Sequence, residues 1–306
     1  MMVVFNVLML AMVISTLPRA RVSAGRIATI LETKSQIVEP TDPEAIEDDR
    51  RGELEFRHVT FSYPGAESAV LNDVSFTARP GGMTAIIGST ASGKSTLVNL
   101  IPRLYDVTSG QILIGGHDIR RISRAELVKA LGFVPQRGVL FSGTVAGNIK
   151  YADEDISDKE MRRAAKIAQT DFIEELDGKY KARIAQGGNN VSGGQKQRLS
   201  IARAIAKDPD ILVFDDSFSA LDYQTDAKLR RQLMQQESDK AILIVTQRIS
   251  TIKDASQIIV LDKGKVVGAG THHHLLDSCS VYREIAGSQF SDSEMKRELE
   301  EAKHVG

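Results

Sequence analysis

Gly88-Ser89-Thr90-Ala91-Ser92-Gly93-Lys94-Ser95 is the stretch whose reading decides the fold. It fits G-x-x-x-x-G-K-[ST], a glycine-rich turn that cradles phosphate. Its flanks agree with that reading. Ala85-Ile86-Ile87 is a short apolar strand, and the residues from Leu97 to Leu104 have the spacing of a helix that the turn opens. Glycine lets the backbone curl so that several N–H groups face inward, and these amides together with a helix N-terminus favour an anion. The pattern assigns Lys94 to the β- and γ-phosphates and the Ser95 hydroxyl to Mg²⁺. Gly88, Ser89, Thr90, Ala91, Ser92, Gly93, Lys94, Ser95 and Thr96 are the expected phosphate contacts. Downstream, Ile211-Leu212-Val213-Phe214-Asp215 is an apolar run ending in a carboxylate. A central parallel strand looks like this, and Asp215 can hold Mg²⁺ through water.

Working outward, Ala241 to Val245 and Ile258 to Leu261 are similar buried runs. Strands alternating with helices indicate a layered α/β domain. Leu54, Phe56 and, after a phase shift, Val59 and Phe61 predict a bent or bulged strand pair. Ser123 with Glu126, and Ser157 with Glu160, have capping-box spacing and each opens a helix. The 306 residues are 42% apolar with a net charge of −1. That balance argues against nucleic acid as a partner, since such binders carry a basic excess. One cysteine, Cys279, cannot form an internal disulfide, which suits a reducing cytosol.

The first stretch differs from the rest. Met1 to Leu17 carries no charge and is almost wholly apolar; Arg19, Arg21 and Arg26 come next. A membrane span needs about 20 apolar residues and at least about 17. Basic residues after the apolar run place the downstream chain on the cytoplasmic side. Residues 1–40 therefore read as the end of the last of several transmembrane helices, with its cytoplasmic extension. Residues 41–51, charged and containing Pro43, read as a linker. The compact domain is expected over 52–287, and 288–306 as a polar tail, either a solvated helix or disordered.

Val191-Ser192-Gly193-Gly194-Gln195 has capping-box spacing, but two glycines in a first helical turn cost about 1 kcal/mol each relative to alanine. They make sense where phosphate must approach bare backbone. This segment resembles LSGGQ, the signature of ATP-binding cassette (ABC) transporters. Other motifs of that family stand in order around it. Tyr63 resembles the aromatic that stacks on adenine. Gln136, in Phe133-Val134-Pro135-Gln136, resembles the Q-loop residue that senses Mg²⁺ and contacts the membrane domain. Ser219-Ala220-Leu221-Asp222 resembles the D-loop, and Thr246-Gln247-Arg248 falls at the switch-histidine loop. The likeness extends from Gly52 to about Leu276, and residues 1–40 look like the end of an exporter's membrane domain.

The resemblance implies a P-loop α/β fold with an antiparallel β part and a helical subdomain around Thr144 to Ala206. It implies ATP and Mg²⁺ as cofactors, with Ser95, Gln136 and Asp215 at the metal. It also implies that Ser192, Gly193, Gly194 and Gln195 contact nucleotide across a head-to-tail pair, in a transporter at the cell membrane with its ATP-binding domain in the cytoplasm. Three positions depart from the pattern. Asp216 stands where the family has its catalytic glutamate, one methylene longer. Gln247 replaces the switch histidine; it donates a hydrogen bond but carries no proton at neutral pH. Gln186 replaces an exporter glutamate. Asp216 with Gln247 resembles the degenerate subunit of bacterial heterodimeric exporters, whose partner is a second half-transporter. The alternatives are a homodimeric exporter with a slow site, a regulatory nucleotide-binding module, and a non-transport ATPase of repair or translation, a class that lacks the apolar leading helix. The His272-His273-His274 run sits where the family has a histidine without metal, and is not read as a metal site.

Overall fold

The structure is a computed structural model that describes residues 1–46 and 50–305. Two units divide at Val38. The first is a single helix, α1 (Met2–Glu32), with no buried residue and with Pro18 inside it. At about 1.5 Å per residue a helix of 31 residues outreaches the roughly 30 Å of a bilayer's hydrocarbon. Its length and composition are those of a membrane span, though a signal sequence meets the same test.

The second unit begins at Glu39, earlier than the expected start at Gly52. Glu44 bridges to Ile122 and donates its N–H to Arg121 O, and Ile46 is buried. The segment expected to be a linker is thus packed on the domain at these residues; its positions 47–49 lie outside the described residues. The Ile46 N–H donates to Glu126 Oε1 at 3.0 Å. Glu126 is therefore engaged with the entering chain, and at this helix only the Ser123 half of the expected capping box forms. The box at Ser157 and Glu160 is complete.

From there β1 (Leu54–Phe61) and β2 (Leu71–Ala78) lead to β3 (Met83–Ile87) and, after the glycine-rich turn, to α2 (Lys94–Leu100). The phase shift seen in the sequence is a bulge within the one strand β1, at which His58 takes φ 51°. Helix α2 is shorter than its apolar spacing predicts: Arg103, at φ 54°, lies beyond its end. Then come β4 (Ser109–Ile114), β5 (His117–Asp118), α3 (Arg124–Ala130) and β6 (Leu131–Val134). The helical part comprises β7 (Gly143–Thr144), α4 (Val145–Ile149), α5 (Asp158–Ile167), β8 (Arg183–Ile184) and α6 (Gly193–Ala206). The chain continues through β9 (Ile211–Asp215), α7 (Tyr223–Gln236), β10 (Ala241–Val245), α8 (Ile249–Ile252), β11 (Gln257–Asp262) and β12 (Lys265–Gly270). It ends in α9 (His272–Ser278), α10 (Ser280–Gly287) and α11 (Asp292–Val305).

The central sheet has the order β12-β11-β3-β10-β9-β6, parallel except for the edge strand β12. A second sheet, β2-β1-β4-β5, is antiparallel. Because side chains alternate along a strand, the central sheet feeds two cores. Ala85, Ile87, Leu212, Phe214, Ile242 and Ile244 pack with α4, α5 and α6. Ile86, Ile211, Val213, Leu243 and Val245 pack with the antiparallel sheet and α2. Strands buried on both faces must be apolar throughout, which is why their runs stand out in the sequence.

The C-terminal segment differs from the tail expected over 288–306. Phe290, Met295 and Leu299 pack on the core, and Glu298 of α11 is buried. His272, also buried, holds Tyr282 Oη 2.7 Å from its Nδ1 and Glu298 Oε2 3.2 Å from its Nε2. Position 306 lies outside the described residues. Burial pushes the His272 pKa below the ordinary histidine value, while Glu298 pulls it up. Below about pH 6.5 the unfolded chain therefore takes a proton that the folded one resists. The contribution of this group is present above that pH and lost as the pH falls toward the folded value. Urea midpoints measured on either side of about pH 6.5 should drop on the acid side, and His272→Gln should flatten that part of the profile.

Candidate nucleotide site

Parallel pairing brings four strand ends, those of β3, β6, β9 and β10, to one edge. Val245 of β10 is level with Asp215 of β9 and with Ile86 of β3, and Val134 of β6 is level with Phe214. The glycine-rich turn, Gln136, Asp215, Asp216 and Gln247 all lie at or just past those ends. Ligands bind at the carboxyl ends of strands in open α/β sheets for this reason.

The turn needs glycine at Gly88, where a Cβ would sit 2.1 Å from Leu261 O, and at Gly93, where φ is +102°. The Lys94 ammonium, itself buried, donates to Gly88 O at 2.8 Å, Ser89 O at 2.7 Å and Ser92 Oγ at 3.3 Å. Burial lowers its pKa, and Asp216 and Asp215 oppose that. A cavity of 340 Å³ is lined by Thr90 to Thr96, Val70 and Gln247. A second, of 540 Å³, runs from Gly88, Ser89 and Thr90 past Gln247 to Glu284, Ser288 and Gln289. The structure thus brings Gln247 against the turn.

Asp215 ends β9 and is buried; burial first, and the neighbouring Asp216 second, push its pKa up, against Lys94. Asp216 is held by its N–H on Val245 O at 2.8 Å and takes φ 45°. Aspartate visits this left-handed region more readily than most residues. Gln136 Nε2 donates to Asp216 Oδ2 at 3.3 Å, so the two positions expected at the metal and the attacking water are in contact. Two adjacent carboxylates, a serine hydroxyl and an amide oxygen are the hard oxygen donors that Mg²⁺ takes, so the residues present fit that ion.

Tyr63 is half-buried. Its hydroxyl is 3.1 Å from Thr96 Oγ1, and Phe61 and Tyr105 meet it edge-on. Thr96 is therefore tied to the aromatic side of the site. Ser192 and Gln195 form a complete capping box at the start of α6. Ser192 and Gly193 are exposed, and no heavy atom lies within 4 Å of where a Cβ on Gly193 would be. None of Ser192, Gly193, Gly194 and Gln195 lines either cavity beside the phosphate turn. The turn and the signature segment are thus not brought together within this chain.

Of the histidine run, His272 is enclosed with Tyr282 and Glu298, and His274 is exposed. Sequence reasoning missed Gln289, which hydrogen-bonds the loop of Gln247. A polar residue in a charged tail gives no signal of that role.

Known proteins are similar to this chain in sequence and fold. Residues 71–219 match the family model described as ABC transporter. An uncharacterized ABC transporter ATP-binding protein of Mycobacterium bovis is 50% identical over 290 residues, covering 94% of this chain and 50% of that protein. An ATP-dependent lipid A-core flippase of Syntrophus aciditrophicus is 38% identical over 287 residues, covering 93% and 47%. A bacterial Atm1-family ABC exporter, solved with ATP bound, superposes with a TM-score of 0.83 at 35% identity, over 93% of this chain and 50% of that one. The chain spans about half the length of the curated relatives it matches.

Ala91 has φ 64° in the turn. The left-handed region costs a residue with a Cβ about 1–2 kcal/mol, and glycine's extra freedom when unfolded takes back about 0.4–1 kcal/mol. Ala91→Gly should therefore raise stability by roughly 0.5–1 kcal/mol, read as a higher urea midpoint at unchanged slope.

Proposed function

We propose that this chain, whose nucleotide-binding domain belongs to the ABC transporter family, is the ATP-binding part of a membrane exporter. It binds MgATP, pairs head-to-tail with a second nucleotide-binding domain, and drives export through transmembrane domains. The observation that carries this reading is the separation of its two phosphate elements. The glycine-rich turn lines cavities of its own, while the signature turn, exposed at Ser192 and Gly193, lines neither. A bare helix N-terminus facing outward suits a phosphate held by another subunit.

In this reading the amides of the turn and Lys94 hold the β- and γ-phosphates, and Tyr63 stacks on adenine. Ser95, Asp215 and Gln136 would hold Mg²⁺, which when bound neutralises charge on the transferring phosphoryl group. Asp216 orients the attacking water, and Gln247 donates a hydrogen bond toward the γ-phosphate. Asp216 is short for its task and is engaged by Gln136; a displacement of about 1 Å in a catalytic group costs about 100-fold. Gln247 adds no proton-bearing group. The chain's own site is therefore slow, and its signature completes the faster site of a heterodimeric partner carrying glutamate and histidine.

Two further observations support the setting. α1 is long and apolar enough to cross a membrane, and Arg19, Arg21 and Arg26 after its apolar run suit a domain on the cytoplasmic side. Close in sequence to Gln136, exposed Val139 is followed by Phe141, stacked on Tyr151 at 4.2 Å, with the Arg203 guanidinium 5.2 Å and 5.3 Å from the two rings. An exposed apolar and aromatic surface of this kind suits contact with the membrane domain.

Lys94→Ala should sharply weaken MgATP binding, because the phosphates lose their main cation; Tyr63→Ala should weaken it less. An equilibrium titration with labelled ATP reads both, and unchanged affinity in Lys94→Ala would remove the assignment. In an assembled transporter, Asp216→Glu with Gln247→His should raise turnover more than the two single changes added together. Assayed in the same heterodimer, Ser192→Ala should cost about 10²–10³-fold by removing a donor at the fast site, and Asp216→Ala far less. The reverse order would overturn the division of roles.

A further inference from the structure

We propose that Gln289 is a positioning residue for the nucleotide site, acting through the main chain of the loop that carries Gln247. The inference rests on the ATP-binding reading above. β10 ends at Val245 and α8 begins at Ile249, so three residues must project Gln247 over the phosphate turn. The flanks of the loop are tied down. Thr246 N donates to Ile86 O at 3.1 Å, Arg248 N to Thr246 Oγ1 at 3.1 Å, and Arg248 Nη2 to Ser219 O at 3.0 Å. Among the described residues, the sheet supplies no partner for Gln247 O or for Ile249 N. Gln289 supplies both: its Nε2 donates to Gln247 O at 2.6 Å, and its Oε1 accepts from Ile249 N at 2.9 Å.

A neutral amide carries a donor and an acceptor in one fixed fork. Gripping the loop on both sides of Arg248, it fixes how the Gln247 peptide is rotated, and with it the direction of the Gln247 side chain. That side chain lines the cavity that Lys94 and Ser95 share. The grip has a firm base. Ser288 N, Gln289 N and Phe290 N bond back to α10 at Glu284 O, Ala286 O and Ala286 O. Ser291 and Glu294 cap α11, and Phe290 packs on the core. The C-terminal segment is thereby part of the site, although no residue of α11 lines either cavity beside the phosphate turn.

The test uses the full chain assembled in detergent or lipid nanodiscs with a second nucleotide-binding domain whose own glycine-rich turn is disabled, so that MgATP affinity by titration and hydrolysis by single turnover both report this chain's site. Gln289→Ala should slow hydrolysis about three- to ten-fold, the scale of one or two exposed neutral hydrogen bonds, with affinity within about two-fold. Gln289→Glu is nearly isosteric and keeps the acceptor for Ile249 N, but sets a carboxylate against Gln247 O; it should slow hydrolysis at least as much. In a Gln247→Ala background neither change should slow it further. Wild-type rates in Gln289→Glu, or a full additional loss in the Gln247→Ala background, would overturn the proposal and leave Gln289 a packing residue. If Gln289→Ala fails to fold, the glutamate variant carries the comparison alone. A wild-type chain that binds no MgATP would bring down the nucleotide reading and this inference with it, a result separable from the others because no substitution is involved.

Discussion

Parallel backbone pairing between β3, β10 and β9 is the constraint on which the rest depends. The ladder sets Val245 level with Ile86 on one side and Asp215 on the other. The phosphate turn, the carboxylate pair and the Gln247 loop therefore leave the sheet at one height. No side chain could bring them together if a strand slipped by one residue, because a slip also turns every apolar side chain to the opposite core. The two cores on either face of the sheet hold the register, and the register holds the site.

Asp216 shows how this frame limits chemistry. Its N–H is committed to Val245 O and its φ is 45°. A short side chain in that backbone points where the strand end directs it, and Gln136 already bonds one of its oxygens. A longer acid there would gain reach but bear more of the left-handed strain. Chain direction and side-chain length thus act together at the position where the sequence departs from the ABC pattern it resembles.

The buried strands and the phosphate turn were legible in the sequence, because each is dictated by its own residues. A strand buried on both faces must be apolar along its length, as Ile211 to Phe214 is, and a turn that bonds phosphate through backbone must hold glycine. What the sequence concealed depends on distant partners. Ser123 and Glu126 have the spacing of a reciprocal cap, yet Glu126 is taken by Ile46, 80 residues away in sequence. The segment from Ser288 onward reads as a solvated helix or disordered because it is polar and charged; Glu298 is buried against His272, a pairing that no periodicity reveals. The bulge at His58 was visible as a phase shift, but whether one strand or two resulted depended on the continuous pairing with β2.

The three acceptors around the Lys94 ammonium carry a consequence for selectivity. Gly88 O, Ser89 O and Ser92 Oγ hold the cation inside the turn. A ligand that engages Lys94 must outcompete those oxygens, so its arrival is an exchange of partners and not a simple capture of free charge. A weakly charged anion offers the ammonium little beyond what the loop already gives. A polyphosphate chain, with several oxygens spread along the amides of the turn, can exceed that threshold. A ligand that met Lys94 there would thus be graded by how densely its negative charge is packed.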